Sequence, residues 1–389
     1  MMPMEIASGI YDVGATDWIV RDFHGYKTER GASYNSYLIV DEKICLIDTV
    51  KACYAEELLE KIRRVIDPAK IDYVVVNHVE PDHAGALPEV LKAAPNAKFV
   101  ITMQGKNEAL RHYGDGFDFM VVKEGDKISL GSRELTFVLM PMLHWPDNMV
   151  TYCPQDGILF SNDAFGQHYA SSKRFDDEVD EYVLFYEAKK YFANILWPYA
   201  RLIGGALKKA SALDIKMIAP AHGVIWRSKI AQILEKYAAW GTGVNGKSVV
   251  IAYDTMWGGT EALARAMVEG AAAAGVKVQL MRMDRTPCST VAAELFEAGG
   301  LLVGSPTLNS GMMPTIGGML VYLKGLQPKG KKAAAFGTCG WAGGAQKDME
   351  AMLTAGGFDL QPGFNCKWRA CVDETEAARQ FAYEFAKNL

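Results

Sequence analysis

No Cys-x-x-Cys pair occurs in this chain, and its seven cysteines, Cys45, Cys53, Cys153, Cys288, Cys339, Cys366 and Cys371, are scattered and odd in number. That spacing excludes a disulfide framework, a zinc ribbon and a built-in rubredoxin-type or ferredoxin-type iron centre. Basic residues are also short: the formal charge is -5, with acids and bases interspersed. Without a basic stripe to neutralise a phosphate backbone, nucleic acid is excluded as a partner. No uninterrupted apolar run reaches the roughly 18 residues of a membrane span, and Met1 to Ile10 has neither a positive n-region nor an apolar h-region. The expectation is a soluble cytoplasmic protein with no membrane partner. Fixed-period repeats, low-complexity tracts and long charge blocks are missing as well.

What is present is length and apolar content. At 389 residues, half of them apolar, the chain exceeds one ordinary core and fits two domains. The clearest seam is the glycine-rich segment Trp240-Gly241-Thr242-Gly243-Val244-Asn245-Gly246-Lys247, which predicts domains over 1–245 and 246–389. After it, apolar runs at 249–252, 276–281, 300–303 and 333–336, with a weaker one at 358–363, alternate with helix-like stretches. Five strands separated by helices indicate an α/β, doubly wound parallel sheet. Before the seam the pattern is mixed. Strands are expected at 36–40, 44–48, 73–76, 98–102, 134–140, 157–160 and 216–218, and helices at 55–66, 86–94, 179–196, 201–210 and 227–239. Early hairpins followed by strand–helix alternation predict a sandwich of two sheets faced by helices.

Histidine is scarce, seven in all, yet four of them fall in a pattern. Asn77-His78-Val79-Glu80-Pro81-Asp82-His83 packs two imidazoles and two carboxyls into six residues, and His144, Asp163 and His222 each follow a predicted strand, as His78 does. Loops at one sheet edge are where remote side chains converge. Taken singly, a histidine beside an apolar strand reads more often as a hydrogen-bonded core residue, and an aspartate near a helix start as a cap. Together, buried and unpaired, these groups would cost several kcal/mol, and a metal removes that cost. Four imidazoles and three carboxylates make one cage for two metals. Imidazole suits zinc, copper, iron and nickel alike; three carboxylates shift the preference toward harder, higher-coordinate ions, iron among them.

A second constellation follows the seam. Tyr253-Asp254-Thr255-Met256-Trp257-Gly258-Gly259-Thr260 joins a strand to a helix, and lacks both Gly-x-Gly-x-x-Gly and the Walker lysine. Backbone N–H groups at the helix start, with Thr255 and Thr260 hydroxyls, make a phosphate site. Two more loops lie at the same edge: Gly304-Ser305-Pro306-Thr307-Leu308-Asn309 and Gly337-Thr338-Cys339-Gly340-Trp341. In a flavodoxin-like strand order this edge holds FMN at the topological switch point. Each tryptophan, taken alone, also reads as ordinary packing.

These residues resemble the flavodiiron proteins. Hydrolases of the metallo-β-lactamase superfamily show His-x-His-x-Asp-His and bind zinc, whereas Glu80 stands at the second position here. The resemblance covers essentially the whole chain. It implies a metallo-β-lactamase-like αββα domain followed by a flavodoxin-like domain, with two non-haem irons and FMN as cofactors. It places His78, Glu80 and His144 on one iron, Asp82, His83 and His222 on the other, and Asp163 between them. Arg21 to Tyr26 resembles an early loop reaching the metal pocket, with His24 beside the irons; His168 is a pocket residue or a structural one. Phe192 stands where a second pocket tyrosine is expected, and Cys339 where an aromatic residue is. Trp257 and Trp341 are expected to flank the isoalloxazine. The implied activity is reduction of O2 to water or of NO to N2O, with electrons through FMN from an external rubredoxin, flavoprotein or reduced F420. The implied assembly is a head-to-tail homodimer or a dimer of dimers. The alternative is a binuclear zinc hydrolase with an appended flavodoxin module.

Overall fold

A computed structural model describes residues 2–389, in which the chain forms two compact units. The first takes the chain up to Arg21, then Thr28–Tyr191 and Arg201–Gly241; the second takes Asp22–Lys27, Phe192–Ala200 and Thr242–Leu389. Two early excursions thus belong with the later residues, which the glycine-rich seam gives no hint of. Within the second unit they are tied by specific contacts. The Lys27 N–H donates to Ser289 Oγ at 3.1 Å, Asn194 Nδ2 donates to the Ser289 carbonyl at 3.1 Å, and the Phe192 ring packs 5.2 Å from that of Phe296.

The first unit is built on two sheets. One has seven strands in the order Met4–Ala7, Ile10–Asp12, Tyr37–Ile39, Ile44–Ile47, Ile71–Val76, Lys98–Thr102 and Phe119–Val122, antiparallel at first and parallel from Ile44–Ile47 onward. The other has five, Lys127–Ser129, Glu134–Leu139, Met149–Cys153, Ile158–Asn162 and Met217–Pro220, with only the last pair parallel. The period-2 rule of strands divides the apolar residues between two layers. Val75, Val100 and Ile47 meet Phe137, Met149 and Phe160 between the sheets. Their neighbours Val74, Val76, Phe99 and Leu46 face outward, against Leu58 and Ile62 of the helix Ala55–Arg63 and Leu87 and Val90 of Leu87–Ala93. On the other side Phe185 of the helix Glu181–Tyr191 packs on Trp226, and Tyr237 of Ile230–Thr242 on Phe165. The architecture is the αββα sandwich.

The sequence pattern does not reveal the N-terminal strands or Phe119–Val122, Lys127–Ser129 and Met149–Cys153. The edge strands among these are three or four residues long, too short for alternation to register. Met149–Cys153 is buried along its whole length, so it has no polar alternation to show.

The second unit is a parallel sheet in the order Lys277–Arg282, Gly246–Tyr253, Ala298–Pro306, Lys332–Cys339 and Asp359–Leu360, with Phe364–Lys367 also pairing with Lys332–Cys339. The expected fifth strand therefore comes in two pieces, split around Pro362, which has no N–H to give to a ladder. The helices Gly259–Ala273 and Val372–Lys387 cover one face, and Cys288–Glu297, Pro314–Leu326 and Ala345–Ala355 the other. Gly270 permits the first pair to meet: a Cβ there would stand 1.9 Å from the Arg379 carbonyl oxygen. Gly270→Ala is expected to force the helices apart and cost about 1–3 kcal/mol, read as a lowered midpoint in denaturant unfolding. An unchanged midpoint would show that the helices can yield. Among the described residues no helix is long and apolar enough to cross a membrane.

Candidate functional site

Each metal-ligating candidate is aimed by the backbone just past a strand. Ile71–Val76 ends before Asn77, whose N–H and Nδ2 donate to the Asp48 carboxylate at 2.7 and 2.9 Å. Pro81 then starts a one-turn helix, Pro81–Ala84, with Glu80 as its N-cap. The turn divides the dense motif, leaving His78 and Glu80 on one side and Asp82 and His83 on the other. Further on, the pairing of Ile158–Asn162 with Met217–Pro220 shifts register between Phe160 and Asn162, and Asn162 takes φ of 51° with its Nδ2 on Asp48 at 3.2 Å. Such a shift re-aims the side chain that follows, here Asp163.

All seven candidates come together, in two groups whose ligand atoms lie within 4.8 Å of one another: His78, Glu80, His144 and Asp163, and Asp82, His83 and His222. Glu80 Oε2 lies 3.3 Å from His78 Nε2 and 3.2 Å from His144 Nε2; Asp82 Oδ2 lies 3.3 Å from His222 Nε2. Asp163 faces both groups. Its Oδ2 is 3.4 Å from His144 Nε2, while its Oδ1 is 3.1 Å from His83 Nε2 and 3.4 Å from His222 Nε2.

The far side of the imidazoles is fixed by partners the sequence pattern did not single out. His78 Nδ1 donates to Asp147 Oδ2 at 2.9 Å and His222 Nδ1 to the Ser33 carbonyl at 2.7 Å, which leaves each Nε2 facing inward as the nitrogen that would give up its proton to a metal. Asp147 also accepts from the Val79 N–H at 2.8 Å. Tyr191 donates its hydroxyl to Asp163 Oδ1 at 2.7 Å.

The electrostatics are those of a cage for cations. Burial opposes ionisation of Glu80, but hydrogen bonds from His144 and His78 draw it down to about 2. Burial likewise works against charging the histidines, yet Asp163 with Asp82 pushes His222 up to about 10, and Asp163 with Glu80 pushes His144 up to about 9. Protons here stand in for positive charge, which a metal replaces as it binds. The donors also fit a metal geometrically. Both Asp82 oxygens, both His83 nitrogens and Asp163 Oδ2 are buried without a hydrogen-bond partner, an arrangement protein groups alone do not sustain.

The second site is a cavity of about 610 Å³ at the C-terminal edge of the parallel sheet. Gly258, at φ of 81°, caps the helix Gly259–Ala273 and donates its N–H to Thr255 Oγ1 at 3.1 Å. A glycine is required next to it, since a Cβ on Gly259 would lie 2.8 Å from the Trp368 carbonyl. The walls carry aromatic rings that the chain leaves in solvent, Trp257 at 95% exposure and Trp341 at 87%. A helix start for a phosphate and exposed indoles for a flat ring fit a flavin mononucleotide.

Two family models match the two regions: one described as ODP family beta lactamase over residues 32–223, the other as flavodoxin over residues 251–381. A nitric oxide reductase of Moorella thermoacetica is 46% identical, with 100% of this chain and 99% of the relative covered. The flavodiiron protein of Giardia intestinalis superposes with a TM-score of 0.98 at 38% identity, covering 100% of this chain and 96% of that one. This chain is a flavodiiron protein. A further likeness is to the rubredoxin:oxygen oxidoreductase of Desulfovibrio gigas, with a TM-score of 0.96, 40% identity, and 100% and 98% of the two chains covered.

As a flavodiiron protein the chain takes FMN and a non-haem di-iron centre, and its two sites are where those cofactors fit. Of the expected flavin residues, Thr255, Met256, Trp257, Gly259, Pro306, Thr307, Leu308, Asn309, Thr338, Cys339, Gly340 and Trp341 line the cavity. Gly258, Thr260, Ser305 and Gly337 stand behind it. Thr260 Oγ1 sits 3.1 Å from Thr338 Oγ1, Ser305 Oγ accepts from the Met313 N–H at 2.9 Å, and Gly337 lets the Ser305 carbonyl pass close. Ser310, Ala342, Trp368 and Arg369 line it too and were not expected. The last two follow Phe364–Lys367, the strand piece that Pro362 hides.

His168 is buried between the rings of His222, 4.9 Å away, and Tyr191, 5.1 Å away. Burial, reinforced by His222, holds it well below the ordinary imidazole range, so it is a neutral ring against the cage. Two more of the expected residues group with the second unit. His24, expected beside the irons, is exposed on a turn that belongs to the second unit. Phe192, expected to line the metal pocket, is buried against Phe296 in that same unit. One residue along, Tyr191 keeps the metal-side role, because the helix Glu181–Tyr191 ends there and the chain leaves the first unit.

Proposed function

We propose that this chain reduces O2 to water, or NO to N2O, at a di-iron centre fed with electrons through FMN. The observation that carries it is the coexistence, in one chain, of a seven-donor cage divided by Asp163 and a flavin cradle with exposed indoles. In this reading His78, Glu80 and His144 hold one iron and Asp82, His83 and His222 the other. Asp163 offers one oxygen to each. Residues 1–245 carry the metal-binding domain and 246–389 the flavin domain, with the excursions 22–27 and 192–200 grouped with the latter. Bound, the cofactors supply one-electron transfer from FMN and open positions on ferrous iron for O2 or NO. The protein's own part is positional. Asp147 and Ser33 keep two imidazoles in one tautomer, Tyr191 holds Asp163 by a hydroxyl proton, and His168 keeps a neutral ring against His222. Complete reduction of O2 takes four electrons and four protons to two waters; two NO take two of each to N2O and water.

The hydrolase alternative is disfavoured, since full-length relatives are named as oxidoreductases. The electron donor is a separate small redox protein of the rubredoxin type, the assembly a head-to-tail homodimer or a pair of them, and the location the cytoplasm. Seven cysteines that are all free support a reducing compartment. Anaerobically reduced protein, assayed with rubredoxin for O2 and NO uptake and for iron and FMN content, tests the reading. Two zinc ions per chain and no uptake of either gas would overturn it. Metal also stabilises the fold by linkage: ferrous iron at about 100 times its Kd is expected to raise unfolding free energy by about 2.7 kcal/mol over chelated protein. A thermal midpoint indifferent to chelation would contradict binding at this buried cage.

A further inference from the structure

Trp368 follows the strand Phe364–Lys367 and takes φ of 59°. Bulky side chains enter that left-handed region only under constraint, and two separate loops constrain it. Its N–H donates to the Cys339 carbonyl at 2.8 Å. Its carbonyl closes on Gly259 at the start of the phosphate-side helix, 2.8 Å from where a Cβ would stand. Its ring covers Gly340, 2.9 Å from where that Cβ would stand, with the Trp341 ring 5.8 Å away. Yet the residue is 65% exposed and lines the cavity beside Arg369. Packing does not account for an exposed indole on a strained backbone; at functional sites such strain persists because something uses the side chain.

We propose that Trp368 is a positioning residue for the flavin. Its backbone ties two cradle loops together, and its indole supplies an aromatic wall for a flat isoalloxazine ring. The proposal rests on the reading that the cradle takes FMN. Two substitutions separate ring from backbone. Trp368→Gly removes the indole and relieves the left-handed strain, whereas Trp368→Phe keeps an aromatic ring under the same strain. Full-length, iron-loaded protein is stripped of flavin and titrated with FMN by flavin fluorescence, and the flavin midpoint potential is read by spectroelectrochemistry. The Gly variant is expected to raise the FMN Kd at least about tenfold, the scale of losing one aromatic stacking partner, and to shift the potential. The Phe variant is expected to stay within about threefold of the parent in Kd, a fraction of that tenfold step. Wild-type affinity and potential in the Gly variant, or a Phe variant as weak as the Gly variant, would overturn the proposal. Should Gly make the protein insoluble, Trp368→Asn carries the same expectation, since Asn also tolerates positive φ. A parent protein that binds no FMN would instead refute the cofactor assignment. Iron content measured in every sample shows that the first unit is intact.

Discussion

Asp163→Ala is expected to leave less than one iron per chain and to lower O2 and NO uptake by at least roughly 100-fold. The lower bound follows from the cost of removing a mere outer partner of a metal ligand, which is already about 10–100-fold. Asp163 is worse to lose because its two oxygens face different groups, Oδ2 toward His144 and Oδ1 toward His83 and His222. Without it neither group keeps its full set of donors, and the positive charge of two cations loses a shared counter-charge. Tyr191 loses its acceptor as well, so a buried hydroxyl is left unpaired. Metal analysis and gas uptake on the same sample decide the matter. Wild-type uptake at sub-stoichiometric iron would place the chemistry elsewhere.

The second large effect is expected one step further out. Asp147 takes hydrogen bonds from His78 Nδ1 and from the Val79 N–H, and is itself 1% exposed. Asp147→Asn keeps the shape and removes the charge. An amide oxygen in the Oδ2 position can still accept from both donors, but the NH2 then stands where Oδ1 lies 3.0 Å from His78 Nδ1. His78 would lose a charged acceptor, and with it part of its basicity toward a metal, for a drop of about 10–100-fold in iron affinity. Competition against an iron chelator measures this directly. Affinity equal to the parent's would mean that the His78 ring is held by packing against Trp145, whose ring lies 5.0 Å away, and not by Asp147.

How much of this was legible in the sequence depends on how local each signal is. The cage was legible because its members are rare residue types at strand ends, and all seven converge. Three flavin loops were legible for the same reason, glycine and threonine after apolar strands. Trp368 and Arg369 were not, because their strand is short and follows a proline. Asp147 was not legible either, since a histidine's outer partner follows no fixed spacing. The grouping of His24 and Phe192 with the second unit was hidden for a different cause. Residues 22–27 and 192–200 leave the first unit, and nothing in composition marks a chain that departs and comes back. The strand-to-loop junctions set side-chain direction locally; the assignment of short excursions is decided by tertiary packing, such as Phe192 on Phe296.

The closing hydrogen bond of the cage, His222 to the Ser33 carbonyl, joins positions 189 residues apart, and His222 follows a strand that enters its sheet parallel beside Ile158–Asn162. A ribosome therefore releases His78 to His83 long before their last companion exists. The nascent chain holds exposed imidazoles and carboxylates able to grip whichever cation is abundant, while the complete donor set waits for this distant pairing. Iron delivery then belongs after folding, and a cell that supplies metal too early would load half-made sites with the wrong ion.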